Sequence, residues 1–288
     1  MFRRKIFQFI SLTLFGLTAS TAQTSNGYLP VNGLKMYYEI HGTDSTKLPL
    51  VLIHGGGSTI TTTFGTILPL LEKQRKLIAV ELQGHGHTAD INRPESFVQD
   101  ADDVAELLRQ LNINHADFFG FSNGASTSLQ IAIRHPKLAH TLVIVAGAFK
   151  KDGFPPQFWE GMNHATLENM PAKLKEEYLK VAADPKGLTA MFNKDLKRML
   201  EFKDMNPNDI HSIQSPVFVI NGDADVVLPE HAVEMFRLLP HAKLAIIPGS
   251  HGECIGEIES AGKHSALPVL TVAMIEEFLD NAMPEVKK

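Results

Sequence analysis

The sequence predicts an α/β fold with a mostly parallel central sheet, helices on both of its faces and one helical insertion. Three observations carry this. From Tyr28 onward, short apolar runs alternate with helix-length amphipathic ones, the order expected of βαβ units. The strand-like runs are almost continuously apolar, as in Val217-Phe218-Val219-Ile220, which suits strands covered on both faces. Between Val145 and Val217 the rhythm stops, and only helix-like segments punctuated by Pro155-Pro156, Pro171, Pro185 and Pro207 follow one another.

In chain order, strands are expected at Leu34–Ile40, Leu50–Ile53, Leu77–Leu82, Asp117–Phe121, Thr141–Val145, Val217–Ile220 and Leu244–Ile247. Helices are expected at Ile60–Leu71, Phe97–Leu111, Asn123–His135, Pro229–Leu239 and Pro268–Asn281. Pro229 fits a first helical turn, where the missing N–H costs nothing. The insertion, about 150–215, holds three more helical segments, Phe158–Asn169, Ala172–Ala182 and Lys186–Lys203. It is too small for an independent domain, so residues 23–288 read as one domain carrying a cap.

Composition bounds the partners. Of 288 residues, 44% are hydrophobic and 20% charged, enough apolar material for a sizeable core and too much for wholesale disorder. The formal net charge of −5 leaves no basic stripe to hold nucleic acid. Cys254 is the only cysteine, which excludes a disulfide within the chain, a CxxC redox pair and a thiolate zinc cluster. Residues 1–22 read as an export signal. Arg3, Arg4 and Lys5 precede the apolar stretch Ile6 to Ala19, and the small residues Ser20-Thr21-Ala22 offer a cleavage site before Gln23. The apolar stretch is too short to span a hydrocarbon core of about 30 Å, so a stable membrane anchor is not expected. Cleavage would leave an acidic, exported chain, periplasmic or secreted.

The strongest chemical signal is Gly120-Phe121-Ser122-Asn123-Gly124, a G-x-S-x-G between an apolar strand and a helix. A nucleophilic serine on a strained strand-to-helix turn needs that context. The turn brings the residues two before and two after the serine into contact, where a Cβ would clash. The helix that follows aims its positive end at the site, where an oxyanion develops.

On these residues the sequence resembles the α/β-hydrolase family over nearly all of the chain after the leader. His54-Gly55-Gly56-Gly57 matches the oxyanion-loop motif of many esterases and lipases of that family. The resemblance implies that the N–H groups of Gly56 and Asn123 are the oxyanion donors, with Gly57 as a substitute for Gly56. Glu81-Leu82-Gln83-Gly84-His85-Gly86-His87-Thr88 resembles the family's D-x-R-G-H-G-x-S loop, with Glu for Asp and Gln for Arg. That loop is structural in the family, and an H-x-H pair alone does not make a metal site. No metal or other cofactor is expected. After the strand at Val217–Ile220, the pattern Gly222-Asp223-Ala224-Asp225 resembles the family's acid turn and points to Asp225, with Asp223 as the alternative. The base is expected in the loop after the last strand, at His251 in Gly249-Ser250-His251-Gly252, with His264 as its rival. Cys254 has no elbow around it and reads as a buried or incidental thiol.

The resemblance implies a serine hydrolase cleaving carboxylic esters or lactones of small molecules through Ser122, His251 and Asp225. A proline iminopeptidase-like aminopeptidase would need cap carboxylates for a substrate ammonium, with Glu160, Glu168, Glu176 and Glu177 available. Carbon–carbon bond hydrolysis and non-catalytic binding of a small ligand are further alternatives on the same scaffold. The cap should roof a closed pocket, with Phe158, Trp159 and Met162 as the first apolar candidates for its lining and Phe154 and Met191 beside them.

Overall fold

The computed structural model describes residues 25–260 and 265–282. The expected export signal and His264 lie outside the described residues. The strands are β1 (Ser25–Val31), β2 (Leu34–His41), β3 (Leu50–Ile53), β4 (Leu77–Glu81), β5 (Ala116–Phe121), β6 (Ala139–Val145), β7 (Val217–Gly222) and β8 (Ala242–Ile247). They form one sheet in the order β1-β2-β4-β3-β5-β6-β7-β8. The first two pairings, β1 with β2 and β2 with β4, are antiparallel; the remaining strands run parallel.

Strand β1 was not among the expected elements. It leads through Asn32 and Gly33, both at positive φ (47° and 86°), into β2. An Asn-Gly pair is the commonest signal of a two-residue hairpin turn, because both central residues must adopt positive φ. The expected helix over Ile60–Leu71 divides into α1 (Ile60–Phe64) and α2 (Leu68–Leu71), with Gly65 closing α1 by donating its N–H to the Thr61 carbonyl at 2.9 Å.

The other core helices are α3 (Phe97–Gln110), α4 (Asn123–Arg134), α9 (Pro229–Leu238) and α10 (Leu267–Asn281). Helices α3, α4 and α9 bury Val104, Leu129 and Met235 on one face of the sheet. On the other face α1, α2 and α10 bury Phe64, Leu71 and Ile275. Both faces of β3 to β7 are thereby dry, which is why those strands are continuously apolar. The segment between β6 and β7 holds four helices: α5 (Pro156–Asn163), α6 (Ala172–Val181), α7 (Gly187–Leu200) and α8 (Pro207–His211).

Strand order reverses around β3, which has β4 on one side and β5 on the other. Open α/β sheets open a crevice beyond the carboxyl ends of their strands at such a point. His54, Ser122, Asp225 and His251 all follow the carboxyl ends of strands (β3, β5, β7 and β8), so the topology gathers them at one edge.

Candidate active site

Ser122 sits at φ 53°, ψ −117°, a conformation that costs a non-glycine residue free energy and persists only where its surroundings enforce it. Here the enforcement is visible. Its N–H donates to the Val145 carbonyl (2.9 Å), and its own carbonyl accepts from Ala125 N–H (2.9 Å) and Ser126 N–H (3.2 Å). A Cβ on Gly120 would collide with the Gly124 carbonyl, and one on Gly124 with the Ile53 carbonyl. The two glycines of the motif are therefore packing requirements of the turn.

Ser122 Oγ lies 3.1 Å from His251 Nε2, and His251 Nδ1 lies 2.7 Å from Asp225 Oδ1. A carboxylate only accepts, so Nδ1 carries the proton and Nε2 is left to accept from the Ser122 hydroxyl. Asp225 is held in turn by Val227 N–H at 2.9 Å, and its side chain is only 1% exposed. Asp223, the alternative acid, is exposed and instead accepts Gly249 N–H at 2.8 Å. Cys254 is buried, and burial together with nearby Asp225 pushes its thiol up to about 12, away from nucleophilic character.

Of the two expected oxyanion donors, Gly56 borders the cavity at Ser122 and Asn123 directly follows Ser122 in the chain. Among the described residues, neither Gly56 N–H nor Asn123 N–H has a protein acceptor. Gly57 differs: its N–H donates to His85 Nε2 at 3.2 Å, so it is already committed. His85 in turn donates Nδ1–H to the Gln83 carbonyl (2.8 Å), and His54 donates Nδ1–H to Gly55 O (2.7 Å) while accepting Leu82 N–H on Nε2 (3.1 Å). Both rings are fully buried, and desolvation lowers both, His54 to about 3. They stay neutral and brace the glycine loop.

The Glu-for-Asp and Gln-for-Arg departures are also accounted for. Glu81 accepts the His87 N–H and Ile60 N–H, and the His87 ring stacks on Tyr37 with centroids 4.1 Å apart. Gln83 takes Arg93 Nε on its oxygen and gives its amide to Asp90 and two carbonyls.

A cavity of about 370 Å³ opens at Ser122, lined among others by Gly56, Phe121, Leu174, Val226, His251 and Glu257. A larger one, about 840 Å³, lies at α3 and the end of α4 beside Arg109 and Lys137. It contains none of the expected site residues and no nucleophile–base pair.

A family model described as "Serine aminopeptidase, S33" matches residues 44–259. The chain belongs to this family of α/β-hydrolases. Among its relatives, 2-hydroxymuconate semialdehyde hydrolase of Pseudomonas sp. (strain CF600) is 34% identical over 247 residues, covering 76% of this chain and 84% of that protein. The dihydrolipoyllysine-residue acetyltransferase component of the acetoin cleaving system of Pseudomonas putida is 28% identical over 237 residues. That match takes 75% of this chain but spans only 60% of the relative's length. In fold, the chain resembles a serine hydrolase involved in carbazole degradation, with a TM-score of 0.71 and 21% identity over 90% of this chain and 99% of the other. The protein is thus a hydrolase built on the α/β-hydrolase fold.

In this α/β-hydrolase the cap corrects the expected lining. Phe158, Trp159 and Met162 do not border the Ser122 cavity; with Phe154 they pack against Phe97, Met199, Phe202 and Val227. Trp159 further donates Nε1–H to the Lys151 carbonyl at 3.1 Å, and Met191 packs with Met170, Tyr178 and Leu188. The cap meets the cavity through Pro171 and Leu174 instead. Helical spacing marks apolar residues as inward, and inward here means toward other cap and core side chains. The cap glutamates Glu160, Glu168, Glu176 and Glu177 do not line the cavity either, whereas Glu257 and Glu259 do.

Sequence reasoning also missed Asp195 and Arg198 on α7. Asp195 Oδ1 accepts Asn123 Nδ2–H at 3.1 Å and pairs with Arg198; its Oδ2 lies with the Asn123 amide where a Cβ on Gly56 would fall. Arg198 also pairs with Asp100 at 2.7 Å. The one available signal was an i, i+3 acid–base pair on a helix, which ordinarily marks a solvated face.

Proposed function

We propose that this protein is a serine hydrolase of small carboxylic esters or lactones, acting through Ser122, His251 and Asp225. The observation that carries the reading is the continuous hydrogen-bond chain from Ser122 Oγ through His251 to Asp225 (3.1 and 2.7 Å), with two unclaimed N–H groups beside it. Ser122 Oγ attacks the acyl carbon as His251 Nε2 takes its proton. Asp225 holds the imidazole tautomer and stabilises the imidazolium. The carbonyl oxygen becomes an oxyanion between Gly56 N–H and Asn123 N–H, donors fixed in advance by the folded turn. His251 then protonates the leaving alcohol, and a water deprotonated by His251 attacks the acyl-enzyme and restores Ser122.

The experiment is labelling with a neutral fluorophosphonate, followed by turnover of a panel of esters, lactones and aminoacyl amides. Labelling at Ser122 with turnover of esters or lactones supports the reading, and Ser122→Ala should remove both, lowering kcat on the order of 10⁶-fold. Labelling of another serine with Ser122→Ala fully active would refute it. Faster turnover of aminoacyl amides than of any ester would move the reading to an aminopeptidase, which the family description favours.

We further propose that residues 1–22 are a cleaved export signal, on their charged, apolar and small-residue pattern. Intact mass of the exported protein should place Gln23 at the N-terminus. Met1 retained on a cytoplasmic product would overturn this.

A further inference from the structure

The loop that carries His251 turns back on itself, and its far side forms part of the Ser122 cavity. Gly252 N-terminates a short 3-10 turn over Glu253–Ile255, and Glu257 N–H closes the loop onto the Gly252 carbonyl at 3.0 Å. A Cβ on Gly252 would collide with Glu257 Cβ and the Phe121 ring, so Glu257 is packed directly behind the residue that follows His251. Its carboxylate Oε2 accepts Glu259 N–H at 2.8 Å. Glu257 is 6% exposed and is one of the residues lining the cavity.

A carboxylate this deeply buried is normally paired with a cation. Among the described residues, neither Glu257 nor Glu259 forms an ion pair, and no lysine or arginine lines the cavity. Lys173, close in the cap, is directed to the Ile258 carbonyl at 2.5 Å and lies outside the lining. Burial raises the Glu257 carboxyl above its usual range while the neighbouring His251 opposes that rise. The rest of the wall is apolar or neutral, from Phe121, Pro171, Leu174 and Val226.

We propose that Glu257 is a specificity-determining residue that makes the Ser122 cavity select substrates carrying a positive charge over those carrying a carboxylate. The proposal rests on the hydrolase reading above and refines its substrate class. An ammonium group entering the cavity supplies the counter-charge that no described residue gives to Glu257. A substrate carboxylate instead meets two like charges in a space partly shielded from water, where the repulsion is screened little. Glu257 is buried and Glu259 exposed at the rim, so Glu257 sets the selection and Glu259 adds a salt-sensitive part.

The test uses three p-nitrophenyl esters of similar acyl length with the full chain: butyrate, 4-(trimethylammonio)butyrate and the glutarate half-ester. The expected kcat/KM order is cationic, neutral, anionic, with about tenfold between successive members. Glu257→Gln should cut the cationic-to-anionic ratio by about tenfold or more, Glu257→Asp should restore part of it, and Glu259→Gln should change it by only a few-fold, and less at high salt. An anionic ester hydrolysed as fast as the cationic one would overturn the proposal, as would a ratio unmoved by Glu257→Gln. If that variant fails to fold, the order of the three esters on the unaltered protein and the Glu257→Asp ratio still decide. A neutral fluorophosphonate separates the two readings. Labelling of Ser122 with charge-blind turnover sinks the selection alone; no labelling and no turnover of any ester sinks the hydrolase reading and the selection with it.

Discussion

Buried carboxylates approach Ser122 from two sides, and the fold treats them in opposite ways. On the strand-tip side Asp225 is held by directed donors, accepting from His251 and from Val227 N–H. On the cap side three carboxylates, Glu95, Asp100 and Asp195, share one guanidinium, that of Arg198. Among the described residues, Arg198 Nε and both oxygens of Glu95 have no hydrogen-bond partner. Desolvation pushes Glu95 up to about 9 and Asp100 to about 6. Arg75, with Asp117, Glu276 and Asp280 around it, has the same composition at α10, but there Asp280 is 42% exposed and the guanidinium makes five hydrogen bonds. The comparison teaches that Asp225 is held by directed donors, whereas Glu95, buried without one among the described residues, is favoured in its neutral, protonated form.

Activity separates the two sides most sharply. Asp225→Asn should lower kcat about 10⁴-fold, because the amide favours the wrong histidine tautomer. Asp195→Asn should cost about 10- to 100-fold, since Asp195 holds the Asn123 side chain against Gly56 without touching Ser122 or His251, and the loss should fall on kcat more than on KM. Asp223→Asn should be nearly silent. Steady-state kinetics on one ester checks all three. A larger loss at Asp223 than at Asp225 would move the acid, and an Asp195→Asn loss matching that of Asp225→Asn would erase the distinction between the sides.

Stability should register the stored proton next. Between about pH 4.5 and 9 the unfolded chain releases the Glu95 proton while the folded one keeps it, so this group's contribution falls as pH rises. Glu95→Gln is isosteric and cannot ionise. It should raise stability by about 1 kcal/mol, roughly 2–4 °C in Tm, at pH 8 and by less at pH 5. A variant equally or less stable than the parent at pH 8 would mean that Glu95 is ionised in place.

The acid limb has other owners. His231 is buried against Phe149, accepts Phe149 N–H on Nε2 at 3.2 Å, and is lowered to about 4 by burial. As pH falls below about 6.5 the unfolded chain takes up protons that folded His231 and His54 refuse. Each should cost about 2 kcal/mol at pH 5. Thermal melts from pH 7 down to 5 should show the decline, and His231→Gln, which keeps an acceptor, should flatten it. A variant with the parent's slope would remove His231 from the account.

Legibility in the sequence followed the same division. The elbow, the glycine loop and Asp225 with His251 were readable because short contiguous motifs fix their backbones, and the strand order then brings them together. Asn32-Gly33 carried a hairpin signal for β1 as well. The cap offered no such motif. Phe158, Trp159 and Met162 have the spacing of an inward face, but the spacing does not say whether inward is a cavity or a core. Arg198 gathers Glu95 and Asp100 from about a hundred residues upstream, and no local pattern announces a contact of that range. Glu257 was hidden similarly, because nothing in its neighbours says that its loop folds back onto His251.

The smallest expected effect concerns acyl length. The cavity at Ser122, about 370 Å³, is near the lower end for small-molecule sites, and Leu174 and Pro171 close it from the cap. Acetate and butyrate p-nitrophenyl esters should therefore have higher kcat/KM than the palmitate ester. Leu174→Ala removes wall and should shift the preference a few-fold toward longer chains. Trp159→Ala should leave the preference in place and lower Tm instead, because that ring packs on Phe154 and Phe158 at centroid distances of 5.3 and 5.0 Å, and truncating a large packed side chain leaves a void. Measuring kcat/KM across acyl lengths in both variants decides between these roles. If Trp159→Ala shifted the length preference and Leu174→Ala did not, the cap would face the substrate through α5, and the cavity wall assigned to Leu174 would be wrong.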